Sequence, residues 1–74
     1  MLQEIIDVLS PYTDYPAEQI NEETNLIDDL ELNSFDILTI VSEVEEEYNI
    51  SIPDETIPEL TTVGAIERYI ESNR

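Results

Sequence analysis

Apolar residues recur along this chain at helical spacings. Leu2, Ile5, Ile6 and Leu9 fall at i, i+3, i+4 and i+7, which gathers them on one face of a helix over residues 2–10. Pro11 is expected to end that helix, because it lacks an amide hydrogen and disfavours helical geometry in the residue before it. The strongest pattern covers residues 34–48, where Ile37, Ile40, Val41, Val44 and Tyr48 share one stripe at about 100° per residue, expected to face the core. Asn33 precedes this helix with a side-chain oxygen able to cap amide hydrogens of the first turn. Ser34, Leu38, Ser42 and Glu45 lie on the flank beside the stripe, with Phe35 near them, while Asp36, Glu43, Glu46 and Glu47 turn toward water. Val63, Ile66, Tyr69 and Ile70 give a last helix its apolar face, with Thr61 or Thr62 as the cap.

The stretches between these helices are less regular. Residues 11–33 hold two prolines, several Asn and Asp and scattered apolar positions, and read as a long loop with a turn near residues 17–20. Loops of that length are uncommon unless functional or pinned, and Ile20, Leu26, Ile27 and Leu30 are the expected pins. Ile50, Ser51 and Ile52 alternate briefly, but a strand that short has no partner in this chain, so they read as an extended linker. Asp54 to Ile57, between Pro53 and Pro58, permit one helical turn opened by acidic residues. The elements predict an all-α fold, a small bundle of three principal helices plus one short helix, in a single domain over residues 1–74.

Composition narrows what such a bundle can do. A 74-residue domain hides only about 60–65% of its unfolded surface, which leaves little room for a large catalytic cleft. Its 41% apolar content supports a packed fold over disorder. Nineteen acidic residues stand against two basic ones, Arg68 and Arg74, for a formal net charge of −17. That balance all but excludes nucleic acid, whose polyphosphate backbone needs Lys and Arg to displace its counterions, and an anionic membrane likewise. It points instead to basic partner proteins whose encounter is speeded by the field and weakened by salt, with solubility alone as the plainer alternative. Close carboxylates also repel, so added salt or magnesium is expected to raise the melting temperature.

No cysteine is present, which removes disulfides, thiolate metal sites and a cysteine nucleophile; no histidine is present, which removes the usual neutral-pH base. The chain is therefore not expected to be an enzyme. It has no apolar run approaching the roughly 18 residues that span a bilayer and no basic leading stretch, so a soluble cytoplasmic monomer is the expectation.

Ser34 is the candidate functional residue. It opens the longest helix, follows a capping Asn and is delivered by a loop. Without His or Lys nothing in the chain can activate it as a nucleophile, but it can be a substrate that another enzyme modifies. A phosphate linked there would meet free amide hydrogens and the positive end of the helix dipole, opposed by Asp28, Asp29, Glu31 and Asp36. The plain alternative for a serine at a helix start is simple capping.

The segment Leu26-Ile27-Asp28-Asp29-Leu30-Glu31-Leu32-Asn33-Ser34-Phe35-Asp36 resembles the surroundings of the modified serine in acyl carrier proteins and related phosphopantetheine-binding carriers. The likeness continues through Glu45-Glu46-Glu47-Tyr48, Ile52-Pro53-Asp54-Glu55 and Thr61-Thr62-Val63 to Ala65-Ile66, over about residues 20–72. It implies 4'-phosphopantetheine as a covalent cofactor, transferred from coenzyme A to Ser34 by a separate phosphopantetheinyl transferase. The arm would supply the thiol that the sequence lacks, and an acyl or aminoacyl group would ride on it as a thioester between partner enzymes of fatty-acid, polyketide or related biosynthesis. Phe35, Asp36, Leu38, Glu45 and Glu46 would meet those basic-surfaced partners, and Ile37, Leu38 and Ile57 would border an apolar crevice for the cargo; ordinary core packing is the alternative for Ile37 and Ile57.

The chain departs from the family pattern at several positions. Asn33 stands where Asp is usual, Phe35 where Leu is usual, and Glu31 where Gly is common, while Thr39 and Ser42 are less acidic or apolar than many relatives. These departures make a dedicated pathway for a specialised metabolite as reasonable as general fatty-acid synthesis. Asn33 also motivates a second reading, an acidic adaptor that binds partners without any arm. A third is calcium binding through Asp28-Asp29-Glu31 or Glu45-Glu46-Glu47, but the twelve-residue calcium loop with its central Gly is absent, Gly64 being the only glycine, so no metal site is expected.

Overall fold

The structure is a computed structural model that describes residues 1–73. Three α-helices carry it: α1 (Leu2–Leu9), α2 (Ser34–Tyr48) and α3 (Val63–Asn73). Single 3-10 turns occupy Ser10–Tyr12 and Ala17–Gln19, and a longer 3-10 helix, Asp54–Glu59, joins α2 to α3. Among the described residues the only β pairing is an isolated antiparallel bridge between Asn25 and Thr62.

Each helix buries the stripe its spacing defines. Ile5, Ile6 and Leu9 of α1, Ile40, Val41 and Val44 of α2, and Val63, Ile66 and Ile70 of α3 meet in one core. Each fully buried aliphatic side chain contributes on the order of 2 kcal/mol relative to exposure. Ile37 and Tyr48, at the two ends of the α2 stripe, are only half-buried and pack against that core from its edge. The Tyr48 hydroxyl reaches Glu4 of α1, donating to Oε1 at 2.7 Å.

The first α-helix ends at Leu9, just ahead of Pro11 as expected, but the proline does not straighten the chain. The chain continues through it as the 3-10 turn Ser10–Tyr12, where a proline near the first position forfeits no needed amide bond, and it becomes extended only at Thr13. Tyr12 then donates to Glu43 Oε2 of α2 at 2.9 Å. That bond, with desolvation and the charges of Glu43 and Asp36, holds the phenol above its ordinary 10.0. The short helix after α2 likewise runs through Pro58 to Glu59.

The long loop is ordered by its own polar residues. Asn25 Oδ1 accepts the amides of Ile27 and Asp28, and Asp29 Oδ2 accepts the Asn25 amide at 2.7 Å. Ile20, Leu26 and Leu30 are buried pins as expected, joined by Leu32. Ile27 is not a pin: it is 58% exposed. Two successive residues of this turn cannot both point inward, and Leu26 takes the core position.

Candidate functional site

The site is built where the loop enters α2. Asn33 is extended and caps the helix: its Oδ1 accepts the Asp36 amide at 2.9 Å, and Asp36 Oδ2 accepts the Asn33 amide at 3.3 Å. This reciprocal capping box holds the first turn at both ends. It also draws Asp36 into a half-buried position, where the helical pattern alone placed it toward water. Asn serves here as well as Asp would, since only a carbonyl-type oxygen is needed.

Ser34 is the first residue of α2 and its side chain is exposed. The Ile37 amide bonds the Asn33 carbonyl at 3.0 Å and the capping box takes the Asp36 amide, while the amides of Ser34 and Phe35 have no partner among the described residues. Just before the helix, Glu31 adopts φ 56°, in the left-handed region that side-chain-bearing residues visit at a cost. A glycine would sit there without strain.

Beside Ser34 lies an apolar hollow of about 290 Å³. Ile37 and Leu38 of α2 and Ile57 of the 3-10 helix all line it, with Leu26 and Leu60 at its floor. Ile27, which the sequence reading assigned to the core, forms part of the wall. No sequence signal separated Ile27 from Leu26, since other adjacent apolar pairs such as Ile5-Ile6 and Ile40-Val41 are both buried. A larger cleft of about 520 Å³ between residues 11–15 and 29–31 is mainly polar and does not include Ser34.

Along α2 the surface combines apolar groups beside the serine with acidic ones toward the far end of the helix. Phe35 is 80% exposed and Leu38 48%, two large apolar side chains open to solvent within one turn of each other. Glu46 is free at the surface, whereas Glu45 is half-buried and its Oε2 accepts the Ile52 amide at 2.7 Å, bracing the linker after α2. Among the described residues no three carboxylates are grouped so as to hold a metal ion, and no helix is long and apolar enough to cross a membrane.

Residues 3–70 match the family described as "Phosphopantetheine attachment site". The chain belongs to the acyl carrier family. A curated acyl carrier protein of Wolinella succinogenes is 35% identical over 74 residues, covering 100% of this chain and 97% of the relative. Another, from Helicobacter pylori, is 31% identical over the same 74 residues and 95% of its own length. A solved structure of the acyl carrier protein from Enterococcus faecalis superposes with a TM-score of 0.87 at 36% identity, covering 99% of this chain and 92% of that one. The all-helical bundle is therefore the carrier fold, and 4'-phosphopantetheine is the cofactor that defines the family.

Proposed function

We propose that this single-domain carrier takes 4'-phosphopantetheine on the Ser34 hydroxyl, where a separate transferase removes the hydroxyl proton and the oxygen attacks the pantetheine-bearing phosphorus of coenzyme A, breaking the pyrophosphate bond and releasing adenosine 3',5'-bisphosphate, and that the carrier catalyses no reaction itself. The observation that carries the reading is an exposed serine at the first position of a capped helix, beside an apolar hollow. The residues fit the group: a phosphodiester on Ser34 would lie near the two unpartnered amides of the first turn and the positive end of the α2 dipole. When attached, the arm supplies a thiol on which an acyl group is held as a thioester.

This chain's own residues would orient and shelter that cargo. Ile37, Leu38 and Ile57 present apolar surface within reach of the serine, and a hollow of about 290 Å³ suits a short acyl chain or the start of a longer one. Phe35, Asp36 and Leu38 lie at the Ser34 end of α2 and Glu46 about three turns further along it, so the helix offers apolar and acidic groups along its length, which suits partner enzymes with a basic rim around an apolar anchor point. Glu45, braced on the linker, has one oxygen left for such a contact. The adaptor reading, motivated by the charge that Asn33 lacks, is the alternative that the following experiment decides.

Intact-protein mass spectrometry after incubation with coenzyme A, magnesium and a promiscuous transferase tests the proposal. One phosphopantetheine mass should appear on the wild type and none on Ser34→Ala. Modification of the alanine variant, or a wild type that gains no mass, would refute it.

A further inference from the structure

Far from the serine in sequence, α3 buries a carboxylate that carrier chemistry does not use. Glu67 is 9% exposed, and its Oε1 has no hydrogen-bond partner among the described residues. An ionised carboxylate in that position is costly, and an apolar residue would cost nothing.

Its surroundings make the cost larger. From the loop, the Glu22 carboxyl is within hydrogen-bonding reach; from one turn further along α3, Glu71 adds a second negative charge; from the start of α1, the Met1 amino group provides the opposing positive one. Arg68 lays its guanidinium over Gly64, next to Glu22. Two ionised carboxylates have no hydrogen to share and repel, whereas one proton between them makes a charge-assisted hydrogen bond. Desolvation first, then the Glu22 bond and the charges of Glu22 and Glu71, raise Glu67 above its ordinary 4.5, and the Met1 amine offsets this only in part.

Glu22 is also one jaw of the clamp that holds the loop on α3. Its carbonyl accepts the Gly64 amide at 2.8 Å, the Thr24 carbonyl accepts the Val63 amide at 3.1 Å, and the Thr61 carbonyl accepts the Leu26 amide at 3.0 Å. A Cβ at position 64 would come within 2.9 Å of the Glu22 carbonyl oxygen, so the approach needs glycine. The Glu22 carboxyl and the Glu22 carbonyl thus belong to the residue that bridges the loop to α3.

We propose that Glu22 and Glu67 form a proton-operated latch: a shared proton ties residues 22–26 to the start of α3, and its loss loosens that junction. Leu26 and Thr61 also line the hollow beside Ser34, so the latch acts on one wall of it. The sign follows from proton linkage. The native state holds the Glu67 proton more tightly than the unfolded chain, so the latch contributes fully below the ordinary 4.5 and is lost as pH rises through the higher native value.

Thermal melts between pH 5 and pH 8 on the intact chain test this, comparing wild type, Glu67→Gln and, as a control for removing one charge, the exposed Glu55→Gln. At pH 8 Glu67→Gln should melt several degrees above both others, and the difference should close toward pH 5. Glu67→Gln tracking Glu55→Gln at every pH overturns the latch. On the unmutated protein, a carbon-detected NMR titration should give Glu67 a higher midpoint than the exposed glutamates. Amide exchange at Val63, Gly64 and Leu26 should rise with pH faster than intrinsic base catalysis accounts for. A Glu67 midpoint among the exposed glutamates, or clamp amides as protected at pH 8 as at pH 5, overturns it equally.

Discussion

α2 and α3 begin in the same way and are used oppositely. Each is capped by a side-chain oxygen on the amide three residues in: Asn33 Oδ1 accepts from Asp36 at 2.9 Å, and Thr62 Oγ1 accepts from Ala65 at 3.1 Å. At α3 the next two amides are consumed by the loop, since Val63 bonds the Thr24 carbonyl and Gly64 bonds the Glu22 carbonyl, and Val63 itself is fully buried. At α2 the corresponding residues are Ser34 and Phe35, both exposed and with unpartnered amides. A helix start offers an anion site only where its donors are left over. The same local motif is thus a structural joint in one place and an open docking position in the other.

Leu26 connects the two. Its amide bonds Thr61 at the approach to α3, its carbonyl accepts the Leu32 amide on the approach to α2, and its side chain is 2% exposed. Leu26→Ala should therefore have the largest effect, about 3 kcal/mol of lost stability in urea titrations, with increased exchange at both helix starts. Gly64→Ala should act on the α3 joint alone. The close approach to Glu22 costs about 2 kcal/mol even after the gain in helix propensity, while transferase modification of the folded protein should proceed normally.

Asn33→Ala removes the α2 cap and should cost about 1 kcal/mol, with slower modification at Ser34 because the first turn frays. Asn33→Asp should keep the stability, so comparing transferase rates of the two variants separates helix capping from charge recognition. Glu31→Gly should show the smallest effect and the opposite sign. Relief of the left-handed conformation outweighs the added chain entropy by about 0.5 kcal/mol, read as a small rise in the urea midpoint.

Periodicity alone located α1, α2 and α3, because a helix makes its own backbone bonds and needs from elsewhere only a surface for its apolar stripe. The α2 cap and Ser34 were legible for the same reason: capping is a contact between neighbours in sequence. The resemblance of Leu26 to Asp36 to the carrier family then pointed to the chemistry proposed for Ser34. What lay beyond one-dimensional reading depended on contacts between distant segments. Nothing near Glu67 in sequence shows that Glu22 approaches it, nothing near Gly64 shows the Glu22 carbonyl above it, and Ile27 and Glu45 resemble neighbours that do something else. A 3-10 turn passing through Pro11 is decided likewise by where Tyr12 must arrive to meet Glu43. Local chemistry chooses which segments become helices and where they start; whether a given start, carboxylate or apolar side chain is covered or left open is settled only by what the rest of the fold lays against it.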